Sequence, residues 1–129
     1  MKRTLLLVAS ILALTAAAHA RIGETIAETV SRWGQGELVA QEDPTVVRFR
    51  YRRPDMKVDV QYKDGHAVWE LYHATSPMTK ARVHPILEHN GAGHQWLFNG
   101  DKVTWTRDDG SIRVSHFQGR PNEIFVEQQ

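Results

Sequence analysis

Residues 46–73 constrain the fold more than any other part of the chain. Val47, Phe49 and Tyr51 alternate with Arg48, Arg50 and Arg52, and Met56, Val58, Val60 and Tyr62 alternate with Lys57, Asp59, Gln61 and Lys63. A strict period of two sends alternate side chains to opposite faces, the pattern of a strand with one buried face. Asp64-Gly65 is a two-residue hairpin signal that pairs Lys63 with His66. With that register, Ala67, Trp69 and Leu71 join the apolar face of Met56, Val58, Val60 and Tyr62. Arg52-Arg53-Pro54-Asp55 reads as a four-residue turn. The segment therefore predicts three antiparallel strands.

Helical periodicity flanks this run. Ile22, Ile26, Val30 and Trp33 recur at i, i+4, i+8 and i+11, one face of a helix that Gly34-Gln35-Gly36 ends. The polar segment 37–45, closing on Asp43-Pro44, reads as a loop. A second helix is expected after Thr79 as N-cap, with Met78 and Val83 as a hydrophobic staple, Ile86 and Leu87 extending the face, and Gly91 at the C-cap. Pro85 leaves its start open, at Lys80 or near Pro85 itself. Asn99-Gly100 and Asp109-Gly110 are hairpin signals that pair Trp96 with Val103 and Trp105 with Val114. Glu123 to Val126 forms a short last strand. The predicted order α-β-β-β-α-β-β-β-β is α+β, two helices on one face of a largely antiparallel meander sheet. The halves 21–75 and 76–129 follow one plan within a single domain.

The first twenty residues have a different character. Met1-Lys2-Arg3 is a positive n-region, Leu5 to Leu14 is apolar except for Ser10, and Ala18-His19-Ala20 matches an A-x-A cleavage site. The apolar run is shorter than the roughly 20 residues that span a bilayer. The pattern is that of a secretory signal cleaved after Ala20, placing the protein in the periplasm or outside the cell, with no transmembrane segment left after cleavage. Cleavage removes Lys2 and Arg3 from 16 Lys+Arg and nothing from 15 Asp+Glu, so the remainder is one charge negative. That balance argues against nucleic acid as a partner. There is no Cys, which excludes disulfides, thiolate metal sites, a cysteine nucleophile and a lipidated cysteine.

Arg21-Ile22-Gly23-Glu24-Thr25 followed by Arg32-Trp33-Gly34, and later Asn90, Gly91, Gly93, Trp96 and Trp105-Thr106-Arg107-Asp108-Asp109-Gly110, resemble a group of small exported bacterial proteins. These open with R-I-G-E-T and reach an R-[YW]-G helix end. The group has no assigned activity, so the resemblance implies export and fold but transfers no catalytic residue. Members often carry a Cys near the position of Thr29. The architecture also resembles, more distantly, the outer-membrane assembly lipoprotein and β-lactamase-inhibitor protein modules, which are non-enzymatic binders.

The candidate site is basic. Residues 47–63 hold six cations against two acids. With the registers above, Arg48 faces Asp59 and Asp59 faces Glu70. Arg50 faces Lys57, and Lys57 faces Tyr72. Two opposed cations repel, so an anion would relieve the row, and Arg52 and Arg53 extend it. These residues point to docking of an acidic envelope protein or an anionic envelope component. The alternative reading is a solvated face whose Arg stems cover the sheet. A second function class, a small metal- or ligand-binding protein, rests on His66, His73, His84, His89, His94 and His116. His84 and His89 lie about 140° apart on a helix, whereas His89 and His94 could converge across Gly91-Ala92-Gly93. His116 reads as a core residue. A hydrolytic enzyme ranks third, because no G-x-S-x-G or H-E-x-x-H motif is present. No cofactor is expected. The four Trp residues read as core, with Trp33 or Trp96 as alternative exposed anchors.

Overall fold

Turn chemistry and alternation build the sheet largely as the sequence implies. In the computed structural model, which describes residues 21–100 and 102–129, the chain forms helix α1 (Ile26–Trp33), strands β1 (Glu37–Asp43), β2 (Val46–Arg53), β3 (Met56–Lys63) and β4 (His66–Ala74), helix α2 (Lys80–Gly91), and strands β5 (Trp96–Asn99), β6 (Thr104–Arg107), β7 (Ile112–Ser115) and β8 (Glu123–Gln128). The expected signal segment, residues 1–20, lies outside the described residues. All strands join one antiparallel sheet in the order β1-β2-β3-β4-β8-β7-β6-β5. Each half is thus a helix followed by a four-strand meander, and the halves meet at their last strands. No helix among the described residues is long and apolar enough to cross a membrane.

The order contains one strand more than the sequence implies. Residues 37–43, expected as loop, pair with β2 as an edge strand with two register irregularities. An edge strand need bury neither face fully, so it shows no apolar alternation.

Helix α1 follows its sequence signals. Thr25 Oγ1 accepts the Glu28 N–H at 3.2 Å, and Gly34, at φ 81°, donates to Val30 O at 2.8 Å. Ile22, Ile26, Val30 and Trp33 pack against the core. Helix α2 starts at Lys80, with Pro85 in its interior, where only the bond to the Ala81 carbonyl is lost. Its end departs from expectation. Ala92, not Gly91, adopts the left-handed cap at φ 47° and ψ 41°. Gly91 is needed for a close approach instead: a Cβ there would lie 3.3 Å from Trp96 Nε1. Trp96 donates to Leu87 O at 3.0 Å and Arg107 to Asn90 O at 3.0 Å, so the sheet satisfies carbonyls at the helix end.

Three registers differ from the sequence reading. Pro54-Asp55 makes a two-residue turn, so Arg53 pairs with Met56 and Arg50 with Asp59. Thr75 N–H donates to Asp55 O at 3.1 Å, and Arg82 of α2 pairs with the Asp55 carboxylate, which anchors the tighter turn. At the Asn99-Gly100 hairpin, Trp96 pairs with Arg107 rather than Val103, and Val103 lies in the loop at φ 52°. Both shifts move partners by an even number of residues, so the faces are preserved.

The third difference inverts faces. Asp64-Gly65 pairs Lys63 with His66 as expected, with both turn residues at positive φ. Then Tyr62 pairs with Ala67 but Gln61 with Trp69, leaving Val68 as a bulge. Beyond it Glu70, Tyr72 and Ala74 turn inward, and Trp69, Leu71 and His73 turn outward. Beside the bulge the segment preceding α1 pairs with β4: Gly23 N–H donates to Ala67 O and Ala67 N–H to Glu24 O, each at 2.8 Å. Both helices pack with Tyr51, Val58, Val60, Tyr62, Tyr72, Val114, Ile124 and Val126. The opposite sheet face is open.

Candidate functional site

The open face is organised in rows across the strands. One row runs Arg48–Gln61–Trp69–Glu127–Arg113, the next Arg50–Asp59–Leu71–Phe125–Ser115, and the third Arg52–Lys57–His73–Glu123. Registers, not the alternation alone, decide which charges meet.

Arg50 does not oppose Lys57. It makes a bidentate pair with Asp59, Nε to Oδ1 at 2.8 Å and Nη2 to Oδ2 at 3.0 Å, and this pairing raises the guanidinium pKa further. Arg48 does not face Asp59. Its Nη2 donates to Gln61 Oε1 at 3.1 Å, and its guanidinium sits 4.5 Å above the Trp69 ring. Tyr72 is not on this face at all. The Val68 bulge buries it, where its hydroxyl donates to Glu70 Oε2 at 3.2 Å.

The repulsive row exists one step along. Arg52 directly opposes Lys57, and the third position is His73. Arg52 makes only a 3.4 Å exposed contact with Glu37, and His73 Nδ1 lies 2.9 Å from Glu123 Oε1. Half-buried Lys57 has no ion pair among the described residues. These side chains line a recess of about 500 Å³ with Arg53, whose guanidinium also lies 6.0 Å from the Trp33 ring. Arg52 and Lys57 are therefore brought together on the open face, and Arg53 reaches the same recess from the helix side of β2; Arg48 and Arg50 share the open face with Arg52, already engaged.

The centre of the face is apolar. The Trp69 and Phe125 rings meet at a tilt of 56° with centroids 5.6 Å apart, and Leu71 lies beside Phe125. Sequence reasoning put Trp69 and Leu71 in the core and missed His73. The bulge carries no composition signature, so only the pairing exposes them.

Beneath the sheet lies a buried polar layer. Tyr62 donates to Thr29 Oγ1 at 2.8 Å and its oxygen accepts from Tyr51 at 2.9 Å, while Thr29 donates to Thr25 O at 3.1 Å. Burial pushes the Tyr62 hydroxyl well above its ordinary pKa and also raises that of Tyr51. Glu24 pairs with Arg32. Glu70 is fully buried, and its Oε1 has no hydrogen-bond partner among the described residues. Burial raises its pKa to about 8, partly offset by the Tyr72 hydrogen bond.

Of the two histidines expected to converge, His94 has two carboxylates beside it. His94, Asp108 and Asp109 present ligand-type atoms within 4.8 Å of one another, and His89 is not among them. Asp109 is already held by Arg107, at 2.9 and 2.6 Å, and by Ser111; chiefly through Arg107 its pKa is held far below the carboxylate range. His94 Nδ1 lies 2.7 Å from Asp108. The cluster ties the β6–β7 turn to the segment after α2. His89 has its pKa lowered by burial and by Arg21. Half-buried His116 lies at the sheet margin, its Nε2 donating to Pro121 O at 3.0 Å.

The geometry defines an α+β domain-type fold with one solvent-facing mixed aromatic and cationic sheet surface. No family model matches the chain, and no curated protein matches it. Among solved structures it is similar to a cysteine-rich secretory protein from Staphylococcus aureus, with TM-score 0.51 and 12% identity over 84% of this chain and 44% of that one. The chain thus spans less than half the length of that protein, and the likeness is one of fold alone.

Proposed function

We propose that this is an exported, non-catalytic binding module of the cell envelope whose open sheet face docks an acidic protein surface. The observation that carries the reading is Lys57, without an ion pair among the described residues, beside Arg52 at one end of the outward Trp69–Leu71–Phe125 stripe. Aromatic and arginine side chains are the residues that dominate protein interfaces. An anion seated between Arg52 and Lys57 relieves the repulsion of two directly opposed cations. Export is supported by the pattern of residues 1–20, with cleavage after Ala20 and release to the periplasm or beyond.

The test uses poly-glutamate and phosphatidylglycerol vesicles as probes, each at low and high salt. Poly-glutamate binds at low salt, more weakly at high salt, and Lys57→Glu lowers its affinity by about tenfold or more. Trp69→Ala weakens it with less salt dependence. Vesicle binding that Lys57→Glu leaves unchanged, or no poly-glutamate binding at low salt, overturns the reading.

A further inference from the structure

Helix α2 and the β5–β6 hairpin do not close on one another. Lys80, Val83, His84 and Leu87 stand at i, i+3, i+4 and i+7, one stripe of the helix. Across from them Phe98 and Trp105 are directly paired, their rings 5.0 Å apart. The cleft between has a volume of about 500 Å³, within the range of small-molecule sites. Met78, Val103 and His116 complete its walls.

Three features mark this cleft as more than a packing gap. Phe98 is 59% exposed, a large ring held in water at its edge. Val103 is a β-branched residue at φ 52°, held there as His116 N–H donates to its carbonyl at 3.0 Å; such strain gathers at ligand clamps. Among the described residues Lys80 has no ion pair, and no Asp or Glu lines the cleft. The polar groups at the walls are therefore one ammonium and two imidazoles. His84 is engaged at 3.0 Å by Glu88, and His116 Nε2 at 3.0 Å by Pro121 O.

We propose that this cleft binds an amphiphile with an aliphatic chain and a terminal carboxylate. The chain lies between Val83 and Leu87 on one side and Phe98 and Trp105 on the other, and the carboxylate meets Lys80. The cleft lies on the helix side of the sheet, so it is separate from the basic rows of the open face.

Titration of the purified protein with dodecanoate, read by Trp fluorescence and calorimetry below the micellar range, tests this. Saturable binding is expected, with Lys80→Glu weakening it by about tenfold or more and Phe98→Asp abolishing it. Lys57→Glu leaves it unchanged, which separates failure here from failure of the sheet-face reading. Dodecyltrimethylammonium, with the same chain and opposite head, binds far more weakly. Circular dichroism of each variant checks that it folds. Equal binding of the two heads, insensitivity to Lys80→Glu, or a dimer dissociated by Phe98→Asp overturns the proposal.

Discussion

Replacing Glu70 by Gln tests the interior of this fold most directly. Glu70 is inward only because Val68 bulges from β4, and it is fully buried beside Tyr72. The groups facing it are Glu24, which raises its pKa, and Tyr72, Asn90 and Arg32, which lower it. Burial prevails, moving the carboxyl from 4.5 to about 8. The folded protein therefore holds Glu70 as a neutral acid at pH 7, whereas the unfolded chain ionises it. The sign follows: Glu70 contributes most below pH 4.5, and stability falls as pH rises toward 8, because the unfolded state loses its proton first. Above that, both states are ionised and the contribution levels off. At 1.36 kcal/mol per pKa unit, the loss across this window is bounded at about 5 kcal/mol. Gln is nearly isosteric, still accepts from Tyr72 and does not titrate. Urea unfolding followed by Trp fluorescence at pH 5, 7 and 9 measures the difference. The two proteins are expected to be close at pH 5, and the Gln variant several kcal/mol more stable at pH 9. Parallel pH profiles refute the argument. So does a variant that is 3–5 kcal/mol less stable at every pH above 5, the result of removing one partner from a buried ion pair.

Other perturbations probe single features. Ala92→Gly places at the α2 cap the residue suited to its left-handed backbone; thermal unfolding should show a gain of about 0.5–1 kcal/mol. Gly36→Ala would set a Cβ 2.8 Å from Tyr51 Cε1, and a loss of about 1–3 kcal/mol in chemical denaturation is expected. Asp59→Ala strips the bidentate partner from Arg50. It should strengthen poly-glutamate binding at low salt while lowering stability by about 1 kcal/mol, read by titration and urea unfolding.

Much of the fold was legible because its signals are local. The α1 stripe, its Thr25 cap and its Gly34 stop lie within one stretch of chain, and the structure reproduces them. The Lys63–His66 and Trp105–Val114 pairs follow from turn chemistry and were read correctly. The candidate site was legible only in part. Arg52, Arg53 and Lys57 do cluster, but Arg50 is neutralised and Tyr72 is buried. Their neighbours depend on a turn tightened by Thr75 and Arg82, residues distant in sequence.

The sequence by itself determined the two helices, every strand except β1, and which faces β2 and β3 present. Period-two and period-3.6 patterns are properties of a short segment, so no distant contact is needed to read them. Tertiary structure decided which residues oppose one another, why residues 37–43 form an edge strand, and why β4 inverts after Ala67. There Gly23 and Glu24, before α1, take the hydrogen bonds of Ala67, and one extra residue, Val68, leaves the ladder. A one-residue shift exchanges the two faces of everything that follows. That exchange buries Glu70 and Tyr72, and sends Trp69, Leu71 and His73 out to the surface proposed to bind.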